Sequence, residues 1–165
     1  MIVDLSDLLK RKVIKKDIDI TMEEKGFYDG SEYIAFLKPV KLKGEFNLIG
    51  DTISLNGTVT TTLELTCSRC LVKFAKKVEI PIEEKLSKEE NKDDDYIFIE
   101  GDVIDITEII ENNIIVSLPI KMLCNEECKG LCPDCGVNLN DSACNCGENN
   151  IDPRLAKLKD FFSSN

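Results

Sequence analysis

The cysteines are the feature that most restricts how this chain can fold. All eight occur as close pairs, which are Cys67 and Cys70, Cys124 and Cys128, Cys132 and Cys135, and Cys144 and Cys146. A short loop of this kind turns two thiolates toward one ion, and two such pairs complete the tetrahedron that structural zinc prefers. Eight thiolates supply two such sites with none left over. The spacing therefore predicts that all eight are metal ligands, with zinc, as one or two ions, as the cofactor.

The spacing leaves open which pairs share an ion. The last four cysteines lie within fifteen residues and can close a site locally, which leaves the first two pairs to meet across the fold. In the alternative arrangement the pairs are exchanged, so that Cys67 and Cys70 join Cys132 and Cys135. A single metal, or free cysteines, would also be compatible with the sequence.

Iron and thiol redox chemistry are the competing uses of these cysteines. Four thiolates also suit iron and iron–sulfur clusters, but the C-x-C pair matches neither ferredoxin spacing. A thioredoxin-like use of Cys67 and Cys70 requires the first cysteine at a helix N-terminus, where its pKa is lowered. The residues on both sides of this pair alternate in polarity as strands do, which disfavours a redox role. Zinc is therefore favoured over both iron and thiol redox chemistry.

The amino-acid composition and the absence of recognisable targeting segments restrict the classes of function that the sequence predicts. The 165 residues contain no His and no Trp, so triads and metal sites built on imidazole are excluded. We find no phosphate-cradling glycine loop, and a closed four-cysteine site has no open position for substrate. The sequence therefore predicts that the chain is not an enzyme. It shows no signal peptide or membrane-spanning segment, which predicts a cytoplasmic protein with reduced thiols.

The apolar pattern predicts an α+β fold. We expect a mainly antiparallel β-sheet with a few short helices and a cysteine-rich zinc-knuckle region. Residues 40–48 and 53–65 alternate in polarity, and one continuous second strand keeps every apolar residue on one face. We therefore predict that Asn56-Gly57, normally a hairpin signal, is not a turn. The Cys67–Cys70 loop then lies at the tip of a hairpin. Helices are predicted over residues 5–13, 105–118 and 152–162.

The negative charge is concentrated in one segment. The net charge is −10, and residues 81–115 alone carry three basic and twelve acidic side chains. This acidity argues against long-range attraction to nucleic acid, and residues 83–95 are predicted to form a mobile acidic loop. Local basic patches remain possible, one within residues 10–16 and one formed by Arg69, Lys73, Lys76 and Lys77. The second patch is the candidate RNA-binding surface, although an ordinary solvated face is the default interpretation of both patches.

Several cysteine motifs together carry a family resemblance. The segments are CSRCL at 67–71, CNEECKGLCPDCGVNLN at 124–140, CNC at 144–146 and DPRLAKL at 152–158. In this order they resemble the YceD-like family of large ribosomal RNA subunit accumulation proteins. The resemblance implies a single YceD-like domain over 1–165, with a cysteine-rich metal-binding insert at 124–150. Shorter members of the family lack the last four cysteines, which favours the local pairing described above.

The resemblance also implies a function. It suggests a non-enzymatic bacterial or plastid factor that supports synthesis, processing or stability of 23S ribosomal RNA, with the eight cysteines as metal ligands. The partner would be large-subunit ribosomal RNA or a ribosomal or assembly protein, and the acidity favours a protein contact through residues 81–115. No small-molecule substrate is expected. The alternatives are a zinc-ribbon interaction or transcription adaptor module and, less favoured, a thiol redox protein.

Overall fold

The computed structural model describes residues 1–89 and 96–146. The chain divides into two compact units. The first unit contains Met1–Leu65 and Lys73–Met122, and the second contains Thr66–Val72 and the chain from Leu123 onward. The helix expected over 152–162 and the three consecutive aspartates at 93–95 lie outside the described residues.

The first unit is mainly an antiparallel sheet. Its strands are β1 (Ile2–Asp4), β2 (Lys15–Met22), β3 (Gly26–Tyr28), β4 (Tyr33–Phe36), β5 (Val40–Ile49), β6 (Thr52–Thr66), β7 (Lys73–Ser87), β8 (Tyr96–Phe98) and β9 (Val103–Asp105). The helices are α1 (Ser6–Leu9) and α2 (Ile106–Ser117). Seven strands form one sheet in the order β2-β5-β6-β4-β3, with β7 pairing with β6 and β8, and β1 pairs separately with β9. Few helices and mostly antiparallel pairing confirm the α+β expectation.

The core follows the alternation of the long strands. Every second residue of β6 from Ile53 to Leu55 and from Val59 to Leu65 is buried, and the residues between them are polar, namely Ser54, Thr60, Thr62 and Glu64. Phe46 on β5 and the isoleucines of α2 complete the same apolar layer. Burial of one strand face and hydration of the other is what a period of two requires. The sheet therefore presents a polar outer face rich in threonine and lysine.

Asn56-Gly57 lies inside β6, which confirms that this dipeptide is not a turn. Gly57 pairs with Gly44 of β5 in the antiparallel register. A Cβ atom on Gly44 would lie 2.3 Å from the Asn56 carbonyl oxygen and 2.6 Å from the Gly57 Cα atom. The two strands approach too closely for a side chain at this point. The glycine of this dipeptide therefore serves close strand packing and not chain reversal.

We expect Gly44→Ala to destabilise the first unit. The added methyl group meets backbone atoms, which cannot rotate away, so the strands must separate at an overpacking cost of about 1–3 kcal/mol. Urea unfolding followed by circular dichroism measures this change. Thr58→Ala, on the outer face of the neighbouring strand, is the control and should cost less than about 1 kcal/mol. An unchanged midpoint for Gly44→Ala would contradict the close approach.

Several boundaries differ from the sequence expectation. The first helix is shorter, because Arg11 adopts a positive φ of 56° and ends it after one turn. The first residues of the loop expected over 83–95 belong instead to β7, which continues to Ser87, with Leu86 fully buried and paired with β8. Helix α2 agrees with the expectation, and the Asp105 side chain caps it by accepting from the Thr107 N–H at 2.9 Å. Among the described helices, none is long and apolar enough to cross a membrane.

Candidate metal centre

The loop that follows β6 forms a tight knuckle around the first cysteine pair. The Leu71 N–H donates to the Cys67 carbonyl at 2.9 Å, and the Cys67 N–H donates to the Val72 carbonyl at 3.0 Å. Leu71 reaches this position with a φ of 61°, in the left-handed region that favours glycine. These two bonds reverse the chain within six residues. As a result, Cys67 and Cys70 direct their sulfurs to the same side.

The third cysteine pair forms the same knuckle in a different part of the sequence. The Gly136 N–H donates to the Cys132 carbonyl at 2.9 Å, and the Cys132 N–H donates to the Val137 carbonyl at 2.8 Å. Gly136 occupies the left-handed position that Leu71 occupies in the first knuckle, with a φ of 73°. The sequence repeats C-x2-C, and the structure shows that the backbone hydrogen bonds repeat with it.

The structure brings the eight cysteines together as two quartets. Quartet one contains Cys67, Cys70, Cys124 and Cys128, and quartet two contains Cys132, Cys135, Cys144 and Cys146. Within each quartet all four sulfurs lie within 4.8 Å of one another. This is the local pairing favoured above, and the exchanged pairing is not observed. Three cysteines of quartet one are buried, whereas quartet two is more exposed.

Hydrogen bonds of Arg69, one from its side chain and one to its backbone carbonyl, join the two cysteine loops of quartet one. The Arg69 guanidinium donates to the Cys128 carbonyl at 2.7 Å. The Leu131 N–H donates to the Arg69 carbonyl at 3.2 Å. Gly130, with a φ of 79°, allows this approach, because a Cβ atom there would lie 3.1 Å from the same Arg69 carbonyl. Arg69 therefore fixes the distance between the two cysteine loops.

The sulfur separations match those of a tetrahedral thiolate site. The Cys67 and Cys128 sulfurs are 3.8 Å apart, and the Cys70 and Cys124 sulfurs are 3.6 Å apart. A tetrahedron with metal–sulfur bonds of about 2.3 Å has edges of about 3.8 Å. A disulfide would require a separation of about 2.05 Å, and all eight cysteines are free. Each quartet can therefore hold a metal ion, and four soft sulfur donors suit zinc or iron.

Without a metal, the thiols of each quartet have very different acidities. Burial raises the pKa of Cys67, but backbone N–H groups, that of Cys124 first, outweigh burial and lower the pKa to about 6. The Cys135 and Asp134 N–H groups lower the pKa of Cys132 to about 7. Desolvation and hydrogen bonding to neighbouring thiols raise the pKa of Cys124 to about 12. Some thiols therefore keep their protons, which a metal ion would displace.

Asn140 is a contributor that the cysteine pattern alone did not reveal. Its side-chain N–H donates to the Cys128 sulfur at 3.3 Å and to the Asn138 side-chain oxygen at 2.7 Å. Its own amide oxygen accepts the Lys129 N–H at 2.8 Å. Burial raises the pKa of Cys128, but the Asn140 amide and the Gly130 N–H outweigh burial, so that pKa lies below its ordinary value. Amide donors of this kind orient metal ligands and neutralise part of their charge.

The four basic residues proposed above for RNA binding do not share one arrangement. Lys73 and Lys77 are exposed on one face of β7, whereas Lys76 is half-buried on the face that carries Val78. Lys73 pairs with Glu64 at 2.6 Å. Arg69 belongs to the second unit and donates to Cys128. Lys77 is exposed without an ion pair among the described residues, and so is Arg69, whose guanidinium is bonded instead to the Cys128 carbonyl.

Comparisons with known proteins agree with the motif resemblance. Residues 55–162 match the family described as "Large ribosomal RNA subunit accumulation protein YceD". Uncharacterized protein YlbN of Bacillus subtilis (strain 168) is 30% identical over 147 residues, covering 87% of this chain and 86% of that protein. Chloroplastic YCED homolog 1 of Arabidopsis thaliana is 26% identical over 185 aligned residues, covering 93% of this chain and 56% of that protein.

A mycobacterial relative shows a partial match. An uncharacterized protein of Mycobacterium tuberculosis (strain ATCC 25618 / H37Rv) is 29% identical over 120 residues, covering 69% of this chain and 58% of that protein. No solved structure matches the chain. The family match extends over more than half of the residues and includes both cysteine quartets. On this evidence the chain belongs to the YceD family of large ribosomal RNA subunit accumulation proteins.

Proposed function

We propose that this protein is a non-enzymatic ribosome-biogenesis factor that supports synthesis, processing or stability of 23S ribosomal RNA. The observation that carries this proposal is family membership, because the family is named for accumulation of large-subunit ribosomal RNA. A plant relative that aligns with 93% of this chain has the same name. The family is named for an RNA level and not for a catalysed reaction, which supports a role outside catalysis. We place the protein in the cytoplasm, with ribosomal RNA or a ribosomal or assembly protein as its partner.

Zinc is the cofactor that we propose for both quartets, with a structural role. Each quartet offers four sulfurs within 4.8 Å of one another, so a zinc ion bound to all four would be fully coordinated. Such an ion has no open position to activate water or substrate. It would instead join loops that have little apolar core of their own. We further propose that the YceD-like domain extends over 1–165, with 124–150 as its metal-binding insert and an acidic loop after β7.

The low pKa of Cys67 does not make a redox function preferable. Reactive thiols combine a low pKa with exposure to their substrate. Cys67 is fully buried and has three other thiols within 4.8 Å. A thiolate in this position is suited to a metal ion and not to attack on an external disulfide. The exposed members, such as Cys135, belong to a second quartet of the same kind.

Depletion of the protein in its host tests the proposed function. We expect the ratio of 23S to 16S ribosomal RNA to fall in depleted cells, and to recover when the wild-type chain is supplied. Electrophoresis of total RNA, with precursor species probed by hybridisation, measures the ratio and the affected step. An unchanged ratio with the protein below detection would contradict the proposal. The chain would then be treated as a zinc-ribbon interaction module with a partner outside ribosome assembly.

A further inference from the structure

A concave basic patch lies on the first unit, in an otherwise acidic protein. We name it the lysine–threonine patch, and its members are Lys38, Lys41, Lys77, Thr60 and Thr62. They line a concavity of about 340 Å³ together with Pro39 and Thr61. The three lysines come from the segment before β5, from β5 itself and from β7, and all three are exposed. Strand pairing therefore assembles a charge cluster that is dispersed in the sequence.

The lysines of this patch lack the carboxylate partner that three other lysines of the same sheet have. Three comparison lysines have carboxylate partners: Lys15 with Glu45 at 2.6 Å, Lys43 with Asp19 at 3.2 Å and Lys73 with Glu64 at 2.6 Å. Within residues 1–89 and 96–146, the patch lysines have no such pair. The net charge of the chain is −10, so three neighbouring lysines without carboxylate partners form a local basic surface on an acidic protein.

The backbone beneath the patch is held firmly. The Thr61 hydroxyl is buried and donates to the Lys38 carbonyl at 2.9 Å. The Leu37 N–H donates to the Thr62 carbonyl at 2.8 Å, which fixes the segment that carries Lys38 against β6. Lys41 pairs with Thr60 in the β5–β6 register. The lysine stems therefore start from fixed points, although their amines remain free to reach a ligand.

We propose that the lysine–threonine patch binds the sugar-phosphate backbone of single-stranded RNA. This inference rests on the proposed function, since it names the partner that a ribosomal RNA factor would touch there. Lysine amines and threonine hydroxyls are among the groups that contact phosphate oxygens in protein–nucleic acid complexes. Both kinds of group line the concavity, and no carboxylate is among its lining residues. The overall acidity limits the attraction to short range, so the contact depends on this local cluster.

The lining residues of the patch are suited to contact the sugar-phosphate backbone of RNA and not to distinguish its bases. Its lining residues include no aromatic ring on which a base can stack, and no Asn, Gln or Arg that pairs with base edges. Binding through three lysines releases counterions from single-stranded RNA, with a slope of log affinity against log salt of about −2. We therefore expect weak, salt-sensitive binding with little sequence preference. Sequence selection would come from another part of the assembly.

A triple substitution with a matched control tests this proposal. The full-length metal-loaded chain is titrated into a fluorescein-labelled single-stranded RNA of mixed sequence, and fluorescence anisotropy is followed at several salt concentrations. The K38Q/K41Q/K77Q variant should lose about tenfold or more in affinity at low salt, and the magnitude of its salt slope should fall by about 2. The control, K15Q/K43Q/K88Q, removes the same charge from lysines that have carboxylate partners, Lys88 pairing with Asp102 at 2.7 Å, and should bind much as the wild type does. Circular dichroism confirms that both variants fold.

Two outcomes would overturn the RNA assignment. Equal loss of binding in both triple variants would show that overall charge and not the patch governs the interaction. Stronger binding of polyglutamate than of RNA, abolished by K38Q/K41Q/K77Q, would assign the patch to an acidic polypeptide. The proposed function is judged separately. If depletion lowers the 23S ratio but K38Q/K41Q/K77Q restores it fully, the patch inference fails and the function stands. An unchanged ratio on depletion refutes the function whatever the binding assay shows.

Discussion

Replacing one cysteine in each quartet should remove one metal equivalent at a time. We expect the wild-type chain to carry two zinc ions, because the thiols form two separate quartets. Cys128→Ser should lose the ion of quartet one and keep the other, and Cys135→Ser should do the reverse. Elemental analysis of purified protein measures the zinc content. A site that loses one of four thiolates loses much of its binding free energy, which for structural zinc is about 10–16 kcal/mol.

Hydrogen exchange should show where each loss acts. Cys128→Ser should expose the amides of 66–72 and 123–131, because the loops of quartet one depend on their shared ion. Cys135→Ser should expose 132–146 and leave the first knuckle protected. The amides of β5 and β6 serve as an internal reference, since an apolar layer supports them. Loss of both ions from either variant would contradict independent sites, and unchanged zinc in both would contradict the assignment of these cysteines as ligands.

The parts of the fold that sequence predicted well are those with strong periodicity. The alternation over residues 53–65 was sufficient to place Asn56-Gly57 inside a strand, because a hairpin there would divide the apolar residues between two faces. The closeness of the last four cysteines in sequence made their local grouping possible, and the family resemblance favoured it over the exchanged pairing. In both cases the residues that decide the structure are close in sequence or recur at a fixed interval, so their pattern is visible in the sequence.

Other features needed the three-dimensional register. The strands β1 and β9 have three residues each and pair across about a hundred positions, so no local pattern reveals them. Asn140 lies between Cys135 and Cys144 of quartet two, yet its amide reaches the Cys128 sulfur of quartet one. Within the candidate RNA-binding surface, strand alternation places Lys76 on the opposite face of β7 from Lys77, which the sequence spacing alone did not show. The lysine–threonine patch instead collects residues from separate elements.

Loss of the Asn140 amide should weaken metal binding at quartet one without removing a ligand. Asn140→Ala deletes the donor to the Cys128 sulfur and leaves the Lys129 N–H without its acceptor. Loss of such a supporting hydrogen bond lowers metal affinity by about 10–100-fold. Competition with a chromogenic chelator measures the affinity of each site. Asn125→Ala is the control: Asn125 lies in the Cys124–Cys128 loop of quartet one, but its side-chain oxygen accepts the Glu127 N–H, so its loss should change the affinity less.

The Asn140→Asp variant separates the donor from the packing of this side chain. The aspartate keeps the shape and can still accept the Lys129 N–H, but it cannot donate to sulfur. It also adds negative charge beside a zinc–tetrathiolate centre, whose two positive and four negative charges leave a net charge of about −2. We therefore expect Asn140→Asp to bind zinc at quartet one more weakly than Asn140→Ala does, with quartet two unchanged. Wild-type affinity in the aspartate variant would show that the Asn140 N–H does not support the thiolates, and that its role is confined to holding the Lys129 backbone.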